Sequence, residues 1–354
     1  MSRFFSEKFA ALTPYTPGEQ PQDMQYVKLN TNESPFPPSE QALRAAAEAM
    51  RPLQLYSDPD CRILREKLAA RYGVAPDEVT VTNGSDEALN FCFMAFCDAR
   101  HGAAFPDISY GFYPVFAQVN GVPYAEIPLK ADFSVDPSDY AGIGKTVFIA
   151  NPNAPTGKAL SPAEIEKILQ SNPDNVVVID EAYVDFGGES CIPLVPKYDN
   201  LLVVQTFSKS RSLAGGRLGY AIGNRELIRD LDSLRYSTNP YNVNSATLAL
   251  GAAILDDEAT TRANCAAIIE TRARTVEALR ALGFEVLDSC ANFVFARTPA
   301  VDGGELYQKL KARGVLVRHF TKSRIAQFNR ITIGTQAQMD TLLAAIRAIL
   351  EEVK

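Results

Sequence analysis

The chain has 354 residues, 46% of them hydrophobic and 22% charged, with a formal net charge of −7. That length suggests about two domains, and the negative charge argues against a nucleic-acid or anionic-membrane surface, since both attract basic patches. No apolar stretch approaches the roughly 18–20 residues of a membrane span, and the first twenty residues lack the apolar core of a secretory signal, so a cytoplasmic protein is expected.

Residues 1–28 are rich in Pro, Gln and Tyr and read as an N-terminal arm. "QALRAAAEAM" and "CRILREKLAARYG" then carry apolar residues at helical spacing and stop near Pro52 and Gly73. Short strand-like runs follow at 78–82, 102–106, 146–150, 175–180 and 200–207, with a helical segment, "SPAEIEKILQ", between two of them. The last three runs are almost wholly apolar, as strands covered on both faces must be. A large α/β domain over 29–240 with a mostly parallel sheet is predicted. Beyond it, a helix-rich stretch (245–282) gives way to "GFEVLDS", "NFVFART", a helix near 304–313, "VLVRHF", "RITIGT" and a last helix. This reads as a smaller α+β domain over 241–354. Six scattered cysteines without a Cys-x-x-Cys pair, and two histidines, predict reduced thiols and no metal site.

Ligands of open parallel sheets gather at the carboxyl ends of the strands. After "VTVT" comes Asn83-Gly84-Ser85-Asp86 and a helix, a pattern that offers free N–H groups and the positive end of a dipole to an anion. After "TVFIA" comes "NPNAPTG", after "VVVI" come Asp180 and Tyr183, and after "LLVVQTF" come Ser208, Lys209 and, eight residues on, Arg217. Each alone is ordinary: a helix cap, a turn, a solvated lysine. Together they are the equipment of a pyridoxal-phosphate enzyme, with an amine for the aldehyde, a carboxylate for the pyridine nitrogen and a phosphate cradle. Gly144-Lys145-Thr146 resembles the end of a P-loop, but Asp139 stands where the first glycine belongs and a strand follows instead of a helix.

The ordered motifs "NGSDEAL", "SYGFY", "NPNAPTG", "DEAYVDF", "SKSRSLAGGRLG" and "RITIGT" resemble the aspartate aminotransferase superfamily, the fold-type I pyridoxal-phosphate enzymes. "LNTNESPFPPS" (29–39), "YSDPDCRILREKLA" (56–69) and the stretch from "VLVRHF" to "RITIGT" are similar to its histidinol-phosphate aminotransferase branch. The resemblance implies a fold-type I transferase that moves an amino group between L-histidinol phosphate and 2-oxoglutarate. By the same resemblance, Lys209 is the catalytic lysine that bonds the cofactor and later moves the substrate proton. Asp180 pairs with the pyridine nitrogen, Tyr183 reaches the ring hydroxyl and Tyr110 stacks on the ring. Ser85 and Asp86 offer backbone N–H groups to the phosphate, joined by Thr206 or Ser208 and by Arg217. Tyr56 serves the neighbouring subunit, which makes the active unit a homodimer.

Where the superfamily motif has a second asparagine to bond the ring hydroxyl, this chain has Ala154, so Asn153 or Tyr183 alone is expected to supply that contact. Arg330 and Arg318 are the expected grips for phosphate and carboxylate, because a planar guanidinium suits both. Asn32 and Tyr15 are expected supports from the N-terminal side. An aromatic or broad-specificity aminotransferase, or a threonine-phosphate decarboxylase, shares the same cofactor residues and is the alternative.

Overall fold

The computed structural model describes residues 2–353. Its strands are β1 (Val27–Lys28), β2 (Val79–Thr82), β3 (Ala103–Pro106), β4 (Tyr124–Ile127), β5 (Thr146–Ala150), β6 (Val177–Asp180), β7 (Leu201–Thr206), β8 (Gly219–Gly223), β9 (Glu285–Val286), β10 (Phe293–Arg297), β11 (Val315–Leu316), β12 (Arg318–His319) and β13 (Asn329–Thr332). The helices are α1 (Glu40–Ala49), α2 (Arg62–Tyr72), α3 (Ser85–Phe96), α4 (Tyr113–Asn120), α5 (Pro162–Ser171), α6 (Arg225–Thr238), α7 (Ser245–Asp256), α8 (Glu258–Ala281), α9 (Gly303–Ala312) and α10 (Gln336–Glu352).

Seven strands make the central sheet in the order β2-β8-β7-β6-β5-β3-β4. β8 runs antiparallel to both its neighbours, and the other pairs are parallel. Alternation along the inner strands explains why they are apolar throughout. Val147, Ile149, Val177, Ile179, Leu201 and Val203 face one core with Leu64, Leu68 and Ile165 from α2 and α5. Their neighbours Phe148, Val178, Leu202 and Val204 face another with Ala88, Phe93 and Leu231 from α3 and α6. Helix starts follow local chemistry. Ser161 and Glu164 form a reciprocal capping box ahead of Pro162 at the mouth of α5, and Thr335 and Gln338 do the same for α10.

The smaller unit is an antiparallel sheet, β12-β13-β10-β9, packed against α8, α9 and α10 around Phe293, Ile331, Leu342 and Ile346. β1 pairs in parallel with β11, so the chain just before the large domain is tied to the small one. Beyond residue 240 the chain packs against both cores in turn. Val243, Ala253 and Ile254 pack into the large-domain core, while Cys265 and Ile268 of α8 pack into the small one. At the other end Leu29 packs into the small-domain core instead of opening the large domain.

Two sheet strands escaped the sequence reading. β4 is an edge strand with an alternating exposed pattern and no apolar run. β8 begins and ends on glycine, and the first is sterically required. A Cβ on Gly219 would lie 2.4 Å from the backbone nitrogen of Ser85, and one on Gly223 2.7 Å from a methyl of Leu202.

Candidate active site

The carboxyl ends of β2, β5, β6 and β7 open on a cavity of about 370 Å³, whose wall includes Ser85, Asp180, Tyr183, Lys209 and Arg217. A second, wider cavity of about 690 Å³ adjoins it and shares Asp86, Tyr110, Ala154, Tyr183 and Lys209 with it.

At the first cavity's anion end, Gly84 (φ 78°) turns the chain into α3 and leaves the helix N-terminus bare. A Cβ on Gly84 would stand 2.5 Å from Nη2 of Arg217, so the guanidinium crosses the space that glycine leaves empty. Arg217 donates to Asp86 Oδ2 at 3.1 Å and to Ser208 Oγ at 3.4 Å. Thr206 Oγ1 accepts from the Ser208 amide at 3.1 Å and lies 3.0 Å from Ser208 Oγ. Tyr110 donates to the other Asp86 oxygen at 2.6 Å. Free helix amides, two hydroxyls and a guanidinium thus surround one small space, the donor set of a phosphate site.

At the opposite end Asp180 closes β6. Its carboxylate accepts from the Ala182 amide and from the Tyr113 hydroxyl, each at 3.2 Å, and burial pushes it up to about 7. Tyr113 was missed in sequence; it belongs to "SYGFY", where only Tyr110 drew notice. Between the two ends Lys209 Nζ donates to the Thr31 carbonyl at 3.1 Å. Burial, aided by Arg330 and Arg217 and opposed by Glu33 and Asp86, brings its pKa down to about 8. An amine near that value is available in its neutral, nucleophilic form at ordinary pH.

Tyr183 is buried with its hydroxyl accepting from Asn32 Nδ2 at 3.0 Å. Asn153 is not brought to the cavity. Its amide donates to the Ile108 carbonyl and to Thr156, both at 3.0 Å, and accepts from Ser109 at 2.7 Å. Fully spent on Thr156 and on the neighbouring 108–109 loop, it does not replace the amide that Ala154 lacks.

The wider cavity holds Arg330, Arg318, Asn32 and Tyr15. Arg330 is deeply set, donates to the Asn30 carbonyl at 2.8 Å and leaves Nε without a partner. Arg318 instead grips the N-terminal arm, donating to the Thr16 and Pro17 carbonyls at 3.1 and 3.3 Å. Tyr15 stacks on Phe112 at 4.1 Å and forms part of the cover. Tyr56 lies outside both cavities: it is 81% exposed and stacks on Tyr241 at 4.3 Å.

Residues 24–346 match the family described as aminotransferase class I and II. The chain is 51% identical over 355 residues to histidinol-phosphate aminotransferase 1 of Bordetella parapertussis, with 99% of each chain covered. It is 52% identical over 353 residues to histidinol-phosphate aminotransferase 2 of Rhizobium meliloti, with 99% of this chain and 100% of that one covered. Among solved structures, histidinol-phosphate aminotransferase from Sinorhizobium meliloti in complex with pyridoxal-5'-phosphate superposes with a TM-score of 0.92 at 22% identity, covering 100% of this chain and 99% of that one. Aspartate aminotransferase from Thermus thermophilus does so at 0.83 and 22%, covering 98% and 100%. The α/β architecture, with its central mostly parallel sheet, is thus the fold of these transferases, and the chain is a member of the class I and II aminotransferase family.

Proposed function

We propose that this chain is a histidinol-phosphate aminotransferase that holds pyridoxal 5'-phosphate and carries the amino group of L-histidinol phosphate to 2-oxoglutarate. The observation that carries the reading is Lys209 Nζ, a buried amine lowered to about 8, set between a carboxylate at one end of a cavity and an anion cradle at the other. Full-length identity near one half to relatives so named supports the choice of substrate.

The residues fit the cofactor. The cradle under Arg217, which any Cβ at position 84 would fill, suits a phosphate, and Asp180 suits a pyridine nitrogen. When bound, pyridoxal phosphate supplies a protonated ring that spreads the charge left by breaking the substrate Cα–H bond. Asp180 would hold a proton on the ring nitrogen, because a carboxylate beside a cation favours the charged state of both. Tyr183 would serve the ring oxygen, and Tyr110 would line the ring. Lys209 would hold the cofactor through Nζ, and the same amine, in its neutral form, is the base placed to take and return the substrate Cα proton. Arg330 and Arg318 offer planar forks that serve a phosphate ester in one half-reaction and a carboxylate in the other.

An exposed apolar surface near α2 supports a homodimer in this reading. Leu53, Leu55, Tyr56 and Ile63 are exposed apolar side chains close in sequence. Burying that face against a second copy would carry Tyr56 of each chain toward the phosphate end of the other's cavity. Among the described residues no helix is long and apolar enough to cross a membrane, and the six cysteines are unpaired. A cytoplasmic setting belongs to this reading.

The test is the visible spectrum of the purified protein before and after L-histidinol phosphate, with no keto acid present. Loss of the yellow band, and its return with 2-oxoglutarate, is the expected result. A band that ignores histidinol phosphate but yields to an aromatic amino acid overturns the substrate, and no band after adding the cofactor overturns the whole reading.

A further inference from the structure

Asn32 and Thr332 form a hydrogen-bond chain whose polarity is fixed from its far end. Asn32 lies in the N-terminal segment with φ 56°, and Thr332 ends β13 of the small domain. Both are buried, at 1% and 2% exposure. The backbone N–H of Asn32 donates to Thr332 Oγ1 at 3.0 Å. The Thr332 hydroxyl proton goes to Asn32 Oδ1 at 2.9 Å, its one acceptor among the described residues; turning the amide over would leave that buried proton unpaired. The amide is thereby oriented, and its Nδ2 must face Tyr183 and donate to Oη at 3.0 Å. Asn292 anchors the same residue by donating to the Asn32 carbonyl at 3.0 Å.

Tyr183 Oη therefore receives a hydrogen bond from the protein and has no protein acceptor for its own proton among the described residues. That proton is left for the cavity, which Tyr183 lines. Ala154, packed in the same apolar cluster, brings only a methyl group to this part of the wall. We infer that Thr332 and Asn32 are positioning residues that hold Tyr183 as an obligate donor toward an anionic oxygen on the bound cofactor ring. Thr332 lies one strand residue pair away from Arg330, so substrate grip and ring polarity come from one strand. The inference rests on the cofactor reading above. If the amide of Asn32 were free to turn over, Oδ1 would accept from Tyr183, and the donor would be lost to the ring.

The charged groups around Tyr183 are Arg330 on β13, Lys209, Asp180 and Asp86, and none of them is altered by changing Thr332. The experiment is a pH titration of the visible band of the cofactor-loaded protein, comparing wild type, Thr332→Val, Thr332→Ser and Tyr183→Phe. A donor to the ring oxygen favours its deprotonated state, so losing that donor raises the midpoint. Thr332→Val is expected to raise it by about one pH unit, roughly tenfold in proton affinity. Thr332→Ser stays at the wild-type value, and adding Thr332→Val to Tyr183→Phe moves nothing further.

A wild-type midpoint in Thr332→Val, or an equal shift in the Tyr183→Phe background, overturns the relay and leaves the cofactor reading intact. If Thr332→Val does not fold, Asn32→Asp takes its place, since a carboxylate accepts from Tyr183. Its shift must then be larger with Tyr183 present than with Phe there, and equal shifts overturn the relay. No visible band in any variant overturns the cofactor reading and the relay with it.

Discussion

Gly84 and Arg217 share one volume: a Cβ on the glycine would stand 2.5 Å from Nη2 and 3.1 Å from Cζ of the guanidinium. Gly84→Ala must therefore push Arg217 off the α3 N-terminus. Losing one charge-assisted hydrogen bond of about 1.5–3 kcal/mol weakens cofactor binding by roughly 10–100-fold. Gly73→Ala is the control, with a comparable φ of 68° but nothing within 4 Å of its Cβ. It should lower the melting temperature and leave cofactor affinity, measured by spectral titration, unchanged. Equal loss of affinity in both variants would mean that backbone strain, not the collision with Arg217, is responsible.

Lys209 has its Nζ on the Thr31 carbonyl, while the proposed phosphate cradle uses other groups: the α3 N-terminus, the Thr206 and Ser208 hydroxyls and Arg217. The covalent and ionic halves of cofactor binding are thus separable. Lys209→Ala should still take up pyridoxal phosphate, lose it readily on gel filtration, and turn over at least about 10²–10⁴-fold more slowly. Multiple turnovers at a wild-type rate would assign the proton transfer to another group.

Asp180 and Glu181 are successive buried carboxyls, each pushed up to about 7 by burial. Glu181 accepts from Ser190 and Gln205 at 2.7 and 2.8 Å on the other side of the sheet end. Both have folded values above their unfolded ones, so the stability they contribute is complete below about pH 4 and is lost as pH rises through about 7. Lys209, lowered to about 8, works the other way and recovers stability only above that pH. The cofactor-free protein should therefore melt at falling temperature from pH 5 to pH 8. Asp180→Asn or Glu181→Gln should flatten the slope, and cofactor should remove Asp180's share by pairing with it. A melting temperature independent of pH in this window would contradict the burial argument.

How much of this was legible in the sequence follows from how local each signal is. The inner strands declared themselves because both faces are buried, and Asp180 and Lys209 stood out as polar groups at the ends of such runs, with Arg217 eight residues beyond Lys209. β4 did not, because its exposed alternation looks like a loop, and β8 did not, because its glycines answer a contact with Ser85 far away in sequence. Of residues 30–32 only Asn32 was expected at the site, as a substrate support and not as a partner of Tyr183. Asn30 meets Arg330, Thr31 meets Lys209 and Asn32 meets Tyr183, two of the three through backbone carbonyls that no side-chain pattern encodes. Asn153 shows the opposite error, since a polar residue beside Ala154 was expected to serve the site and instead ties its turn to the 108–109 loop.

The two arginines of the wider cavity should separate in experiment. Arg330 is half-buried, carries an unpartnered Nε, sits 5.4 Å from the Phe293 ring and makes one hydrogen bond, to the Asn30 carbonyl, which leaves most of its fork for a ligand. Arg330→Lys keeps the charge but not the fork, and kcat/KM should fall by about 10²-fold, the equivalent of roughly 2–3 kcal/mol, with the cofactor band unchanged. Arg318 already spends two donors on Thr16 and Pro17. Removing it by Arg318→Ala should release the arm, seen as faster amide hydrogen exchange over residues 13–20, and raise the KM for histidinol phosphate by about tenfold. Unchanged exchange with a raised KM would assign Arg318 to substrate alone, because the arm would then be held by Tyr15 stacked on Phe112 and by the Lys311–Glu19 ion pair.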